Sequence, residues 1–140
     1  MSLRTEVKID VILHATENLD KIFESFLYNL NLERKNFEVQ NLTGHFDNPI
    51  LLISSKLKKK NAQNFIKLLF SKMKKNDFEE VFENVEDYVT SSGLNLRISK
   101  QKLIVENLTI SKEDAIKINI STPVYVKNNT KKIYQELMKV

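Results

Sequence analysis

Three stretches of this chain alternate apolar and polar residues, and that alternation restricts the fold more than any other feature. Val7, Ile9, Val11, Leu13 and Ala15 occupy one parity while Lys8, Asp10 and His14 occupy the other. Leu94, Leu96 and Ile98 alternate with Asn95, Arg97 and Ser99, and Ile116, Ile118 and Ile120 repeat the pattern before Pro123. Successive side chains of a strand point to opposite sides, so each stretch predicts a strand with one buried face and one wet face. Arg97 falls on the wet face. Phe37 and Val39 predict a shorter strand up to Leu42. Residues 50–53 are apolar on both parities and predict a strand buried on both sides near its start, with Ser54, Ser55 and Lys56 leading back to solvent. Residues 103–110 carry a weaker pattern and predict one more strand pair or edge.

Between these stretches the period changes to that of a helix. Thr16, Glu17 and Asn18 supply capping residues ahead of Leu19, Ile22, Phe23, Phe26, Leu27 and Leu30, which fall on one helical stripe. Asn61 is the predicted start of a second helix with Ala62, Phe65, Ile66, Leu68, Leu69 and Met73 inward. Asp77-Phe78-Glu79-Glu80 fits a capping box for a third, whose apolar face is Phe78, Val81, Phe82, Val85, Tyr88 and Val89. A last short helix is predicted over 130–138. Strands and helices do not alternate regularly, which favours an α+β class: a mixed, mostly antiparallel sheet with helices packed on one face and the other face free for a ligand. The length fits a single domain over residues 1–140.

Composition narrows the function classes. A hydrophobic fraction of 41% beside 29% charged residues predicts a folded, water-soluble domain. No apolar run approaches the roughly 20 residues of a membrane helix, and no apolar segment follows the first charges, so a cytoplasmic location without membrane contact is expected. The chain has no cysteine and two histidines, too few donors for a zinc site, and neither a metal nor another cofactor is expected. The net charge of +4 and a pI near 9.2 favour anionic partners. From Lys56 to Lys75 every charge is positive, and from Asp77 to Asp87 every charge is negative. Opposite charges at successive helix ends complement the macrodipoles and account for part of this arrangement, but not for the run of Lys56, Lys58, Lys59 and Lys60. One side of the molecule is therefore expected to be basic.

Three motifs stand out: His14-Ala15-Thr16-Glu17, Gly44-His45-Phe46-Asp47-Asn48-Pro49-Ile50, and Leu96-Arg97-Ile98-Ser99-Lys100-Gln101. In order and spacing they resemble the family of archaeal RNA-binding proteins regarded as exosome subunits. The resemblance spans most of the chain. It implies a fold like that of the ribosomal protein that binds five-S RNA, RNA binding, and association with exosome subunits, another RNA-processing assembly or ribosomal RNA. Two positions depart from the family pattern: Asp47 stands where a glycine is usual, and Ser99 where an acid is usual.

The candidate RNA contacts are His14, Thr16, Gly44, His45, Phe46, Asn48, Lys58, Lys59, Lys60, Arg97, Lys100 and Gln101. Gly44 permits a left-handed turn that presents amides, and His45 and Asn48 could meet phosphate or a base edge; Asn48 could equally tie the loop to itself, with His45 packed on it. Arg97 and Lys100 are expected near a strand end on the polar face, where phosphate contact needs no special geometry. Arg97 could instead pair with Glu17 or with the acidic helix. Gln101 suits a base edge or a strand cap, and Lys58, Lys59 and Lys60 suit either an RNA path or a solvated linker. Phe46 and Tyr125 are the aromatic residues expected to be exposed for base stacking. His14, His45, Glu17 and Asp47 are residue types a nuclease would use, but no spacing enforces catalysis, and a non-catalytic binder is expected. The alternative is a structural adaptor that docks on a protein through Glu79, Glu83 and Glu86.

Overall fold

In the computed structural model, residues 2–14, 16–43, 49–105, 107–113 and 115–139 are described. The strands are β1 (Glu6–His14), β2 (Glu38–Thr43), β3 (Pro49–Lys58), β4 (Val89–Thr90), β5 (Gly93–Ser99) and β6 (Ala115–Ser121). The helices are α1 (Leu19–Leu30), α2 (Lys59–Lys72), α3 (Lys75–Glu83), α4 (Val85–Tyr88), α5 (Lys100–Ile104) and α6 (Thr130–Met138). The strands form one sheet in the order β2-β3-β1-β6-β5-β4, and each neighbouring pair runs antiparallel.

The alternation read from the sequence becomes the two sides of this sheet. Val7, Ile9, Val11 and Leu13 of β1 are buried, as are Leu94, Leu96 and Ile98 of β5 and Ile116, Ile118 and Ile120 of β6. The helices cover this side, α2 against β1 and β3, α4 and α5 against β5. Phe26 and Phe37 lie 4.8 Å apart between ring centres and close the core beneath α1. Ile53 and Leu57 continue the buried side along β3, which is longer than the 50–53 segment expected and carries Lys56 and Lys58 within the strand.

Local chemistry explains where α1 begins and ends. The Asn18 side chain accepts from the Lys21 amide at 3.2 Å, and Asn31 closes the helix at φ 53°, a left-handed conformation that asparagine tolerates better than most residues. Three expectations are corrected. Among the described residues of 103–110 there is no strand pair: α5 follows β5 directly, and the expected edge is reduced to single bridges of Leu108 with Met73 and of Ile110 with Ile98. Asp77 does not cap α3, which starts two residues earlier at Lys75; its carboxylate accepts from the Ile110 amide at 3.2 Å instead. Lys58, Lys59 and Lys60 are not a free linker. Lys58 ends β3 and α2 starts at the next residue, with Lys59 taking the bend at φ 52°.

Candidate nucleic-acid interface

The side of the sheet without helices is open, and the register assigns its residues. Cross-strand partners share a face, so Lys8 with Lys56, Asp10 with Ser54, Ile12 with Leu52 and His14 with Ile50 fix the central pair. Asp10 with Lys117 and Lys8 with Asn119 add β6, and Arg97 with Lys117 and Asn95 with Asn119 add β5. Among the described residues the face thus carries five cations, Lys8, Lys56, Lys58, Arg97 and Lys117. Against them stand three carboxylates: Glu6, Asp10 and Glu38. Glu6 lies 3.9 Å from both Lys56 and Lys58, an exposed pairing worth little. Among the described residues Lys8, Arg97 and Lys117 make no ion pair.

A groove of about 460 Å³ runs over the centre of this face, lined by Asp10, Ile12, His14, Leu52, Arg97, Ala115 and Lys117. It lies within the range of small-ligand pockets, about 300–1,000 Å³. A second depression of about 370 Å³ shares Asp10, Arg97 and Lys117 and extends to Asn95 and Asn119. There the Asn119 amide donates to the Asn95 carbonyl oxygen at 2.9 Å, and the Asn95 amide donates to Thr90 Oγ1 at 2.9 Å. The polar rim is therefore held in place by its own side chains.

The end of the sheet where the motifs meet has a different chemistry from the expected one. β1 and β5 end at the same edge, because each runs antiparallel to β6 between them, and His14 pairs with Ile50 at the start of β3. The described residues His14, Ile50 and Ser99, one from each motif stretch, therefore border one edge. There Lys100 is 1% exposed, and its ammonium donates to Glu17 Oε1 at 2.9 Å, Glu17 Oε2 at 2.8 Å and the Ile12 carbonyl at 2.7 Å. Glu17 Oε1 also accepts the His14 amide at 3.0 Å. The placement of Lys100 on the exposed face is thus corrected: β5 ends at Ser99, whose hydroxyl accepts from the Lys102 amide, and Lys100 turns inward as the first residue of α5. The pairing considered for Arg97 with Glu17 belongs to Lys100 instead.

Arg97 is exposed on the open face, as expected. His14 is exposed at the end of β1 on the same face, and Thr16 and Gln101 are exposed at the edge. Lys58 lies on the open face, whereas Lys59 and Lys60 sit at its rim in the first turn of α2. Gly44, His45, Phe46 and Asn48, together with Asp47, lie outside the described residues. Tyr125 is 82% exposed and receives a 3.5 Å hydrogen bond from Arg4. The basic run is split between the two sides of the molecule, since Lys67 and Lys72 lie on α2 in the helical layer while Lys56 and Lys58 lie on the sheet. Asp10 and Lys117 were missed as site residues; the parity shared with Arg97 is the signal that selects them.

The family comparison covers this whole sheet. Residues 6–122 match the family model described as RNA binding, from the first residue of β1 to just beyond β6. The chain belongs to this RNA-binding family. Among its relatives, RNA-binding protein PAB1135 of Pyrococcus abyssi is 29% identical over 126 residues, which span 85% of this chain and 82% of that protein. The fold is that of solved DUF54 proteins. AF2318 from Archaeoglobus fulgidus superposes with a TM-score of 0.78 at 24% identity, covering 94% of this chain and 97% of that one. SSO0741 from Sulfolobus solfataricus gives 0.77 at 24% identity, covering 96% and 97%. No helix among the described residues is long and apolar enough to cross a membrane.

Proposed function

We propose that this member of the RNA-binding family holds RNA on the open face of its sheet and performs no chemistry on it. One observation carries the reading: a face bare of helices presents Lys8, Arg97 and Lys117 without ion partners among the described residues. Unpaired cations on an open surface offer direct phosphate contacts whose formation releases counterions. The absence of catalysis is supported by Glu17, whose carboxylate accepts the His14 amide and is engaged by the buried Lys100 ammonium. The role as an accessory of exosome-type RNA processing or of ribosomal RNA rests on the motif resemblance. Exposed Glu79, Glu83 and Glu86 in α3 and α4 support a second reading, in which a protein partner docks on the helical side.

Filter binding of labelled single-stranded and structured RNAs at about 50 and 200 mM salt tests the proposal. Five phosphate contacts at a slope of about −0.7 each weaken single-strand binding about 100-fold over this range, and Arg97→Ala/Lys117→Ala reduces that factor to about 20. Glu79→Ala/Glu83→Ala leaves RNA affinity within twofold in this reading. If no RNA binds at low salt, the open-face reading fails and docking through the acidic helices takes its place.

A further inference from the structure

Resting on the RNA-binding reading, we propose that the central groove of the open face selects an unpaired guanine, with Asp10 reading its Watson–Crick edge. The groove pairs an apolar floor with a single acid between cations. Ile12 is 44% exposed and Leu52, its register partner, is half-buried beside it, so two aliphatic side chains stand uncovered in the groove, continued along the same face by Ile50 and Leu42. An apolar floor of this kind accepts the flat side of a base. Arg97 and Lys117, neighbours across β5 and β6, flank the floor where the sugar-phosphate would run.

Asp10 is the residue that phosphate binding alone leaves unexplained. It faces Lys117 across the strand pair, yet its carboxylate makes neither an ion pair nor a hydrogen bond among the described residues. A carboxylate at the centre of a phosphate-binding face repels the backbone, and its two oxygens accept only from donors. Guanine presents two adjacent donors on one edge, N1–H and the exocyclic N2 amine, and a carboxylate accepts both at once. Adenine and uracil each offer a single donor beside an acceptor that would face the carboxylate, and cytosine offers one amine beside a bare ring nitrogen. An unpaired base is required, because pairing occupies this edge and because bases splayed from a strand are the ones proteins read in RNA.

The test uses seven-nucleotide RNAs of adenosines with guanosine, inosine or adenosine at the centre, bound to the intact chain at about 50 mM salt. The guanosine strand is expected to bind about tenfold more tightly than the adenosine strand, with inosine, which lacks the N2 amine, between them. Asp10→Ala removes a negative charge, so it raises the affinity for the adenosine strand and abolishes the preference. Equal binding of all three strands by the wild type overturns the guanine assignment while leaving RNA binding intact. A uniform rise for all three in Asp10→Ala, with the preference kept, assigns the selectivity elsewhere and overturns the role of Asp10. If none of the strands binds, the RNA-binding reading itself is what fails.

Discussion

Glu17→Ala is expected to destabilise the fold by about 3–5 kcal/mol, more than removal of the lysine it holds. The pair is asymmetric: the Lys100 side chain is 1% exposed and that of Glu17 is 17% exposed. Truncating Glu17 leaves an ammonium buried without its carboxylate and frees the His14 amide from its acceptor. Lys100→Met leaves a carboxylate that can turn to water and fills the vacated space with an unbranched apolar chain, at a cost of about 1–3 kcal/mol. The double variant Glu17→Ala/Lys100→Met is expected to recover most of the loss, because an apolar replacement of both partners is often neutral. Urea denaturation of the two single variants and the double variant measures the coupling directly. Costs that simply add would show that the two side chains do not act as a unit.

Gly93→Ala is expected to cost a similar amount for a steric reason. Gly93 opens β5 at φ 124°, a conformation that residues with a side chain rarely adopt, and an added Cβ would collide with the Ile120 carbonyl oxygen and lie 3.1 Å from Ser121 Cα. Both obstacles are backbone atoms of β6, so relief requires the two strands to part. A strained backbone costs about 1–3 kcal/mol, and the displaced hydrogen bonds bring the total to about 3–5 kcal/mol. Thermal unfolding should show a large fall in Tm. A fall of less than about 2 °C would mean that the β5–β6 junction yields freely.

The sequence revealed the architecture because most strands are buried on one side only. β1, β5 and β6 each write their two faces as alternating residues, and one register then fixes the whole open surface. Arg97 was legible for that reason. Lys100 was not, since a lysine after a strand reads as solvated unless its acid partner is known, and Glu17 stands 83 residues earlier in the chain. The Ala-Thr-Glu and Lys-Gln motifs that carry the family resemblance are, in part, the two halves of this buried pair. α5 was equally hidden: five residues are too few for a helical period, and the Ser99 cap that starts it lies on the strand's own polar parity. The split of the basic run between sheet and helix was invisible because the β3–α2 junction contains no turn residue.

The central claim is that RNA lies on the open side of the sheet, and the lysines distributed over both sides report on it. Acetylation of the intact chain with and without bound RNA, read by mass spectrometry at each lysine, measures which side is covered. Protection of Lys8, Lys56, Lys58 and Lys117, with Lys67, Lys72, Lys131 and Lys132 of the helical layer modified as in the free protein, is the predicted result. Protection of the α2 and α6 lysines with Lys8 and Lys117 unchanged would place the RNA on the helices and contradict it.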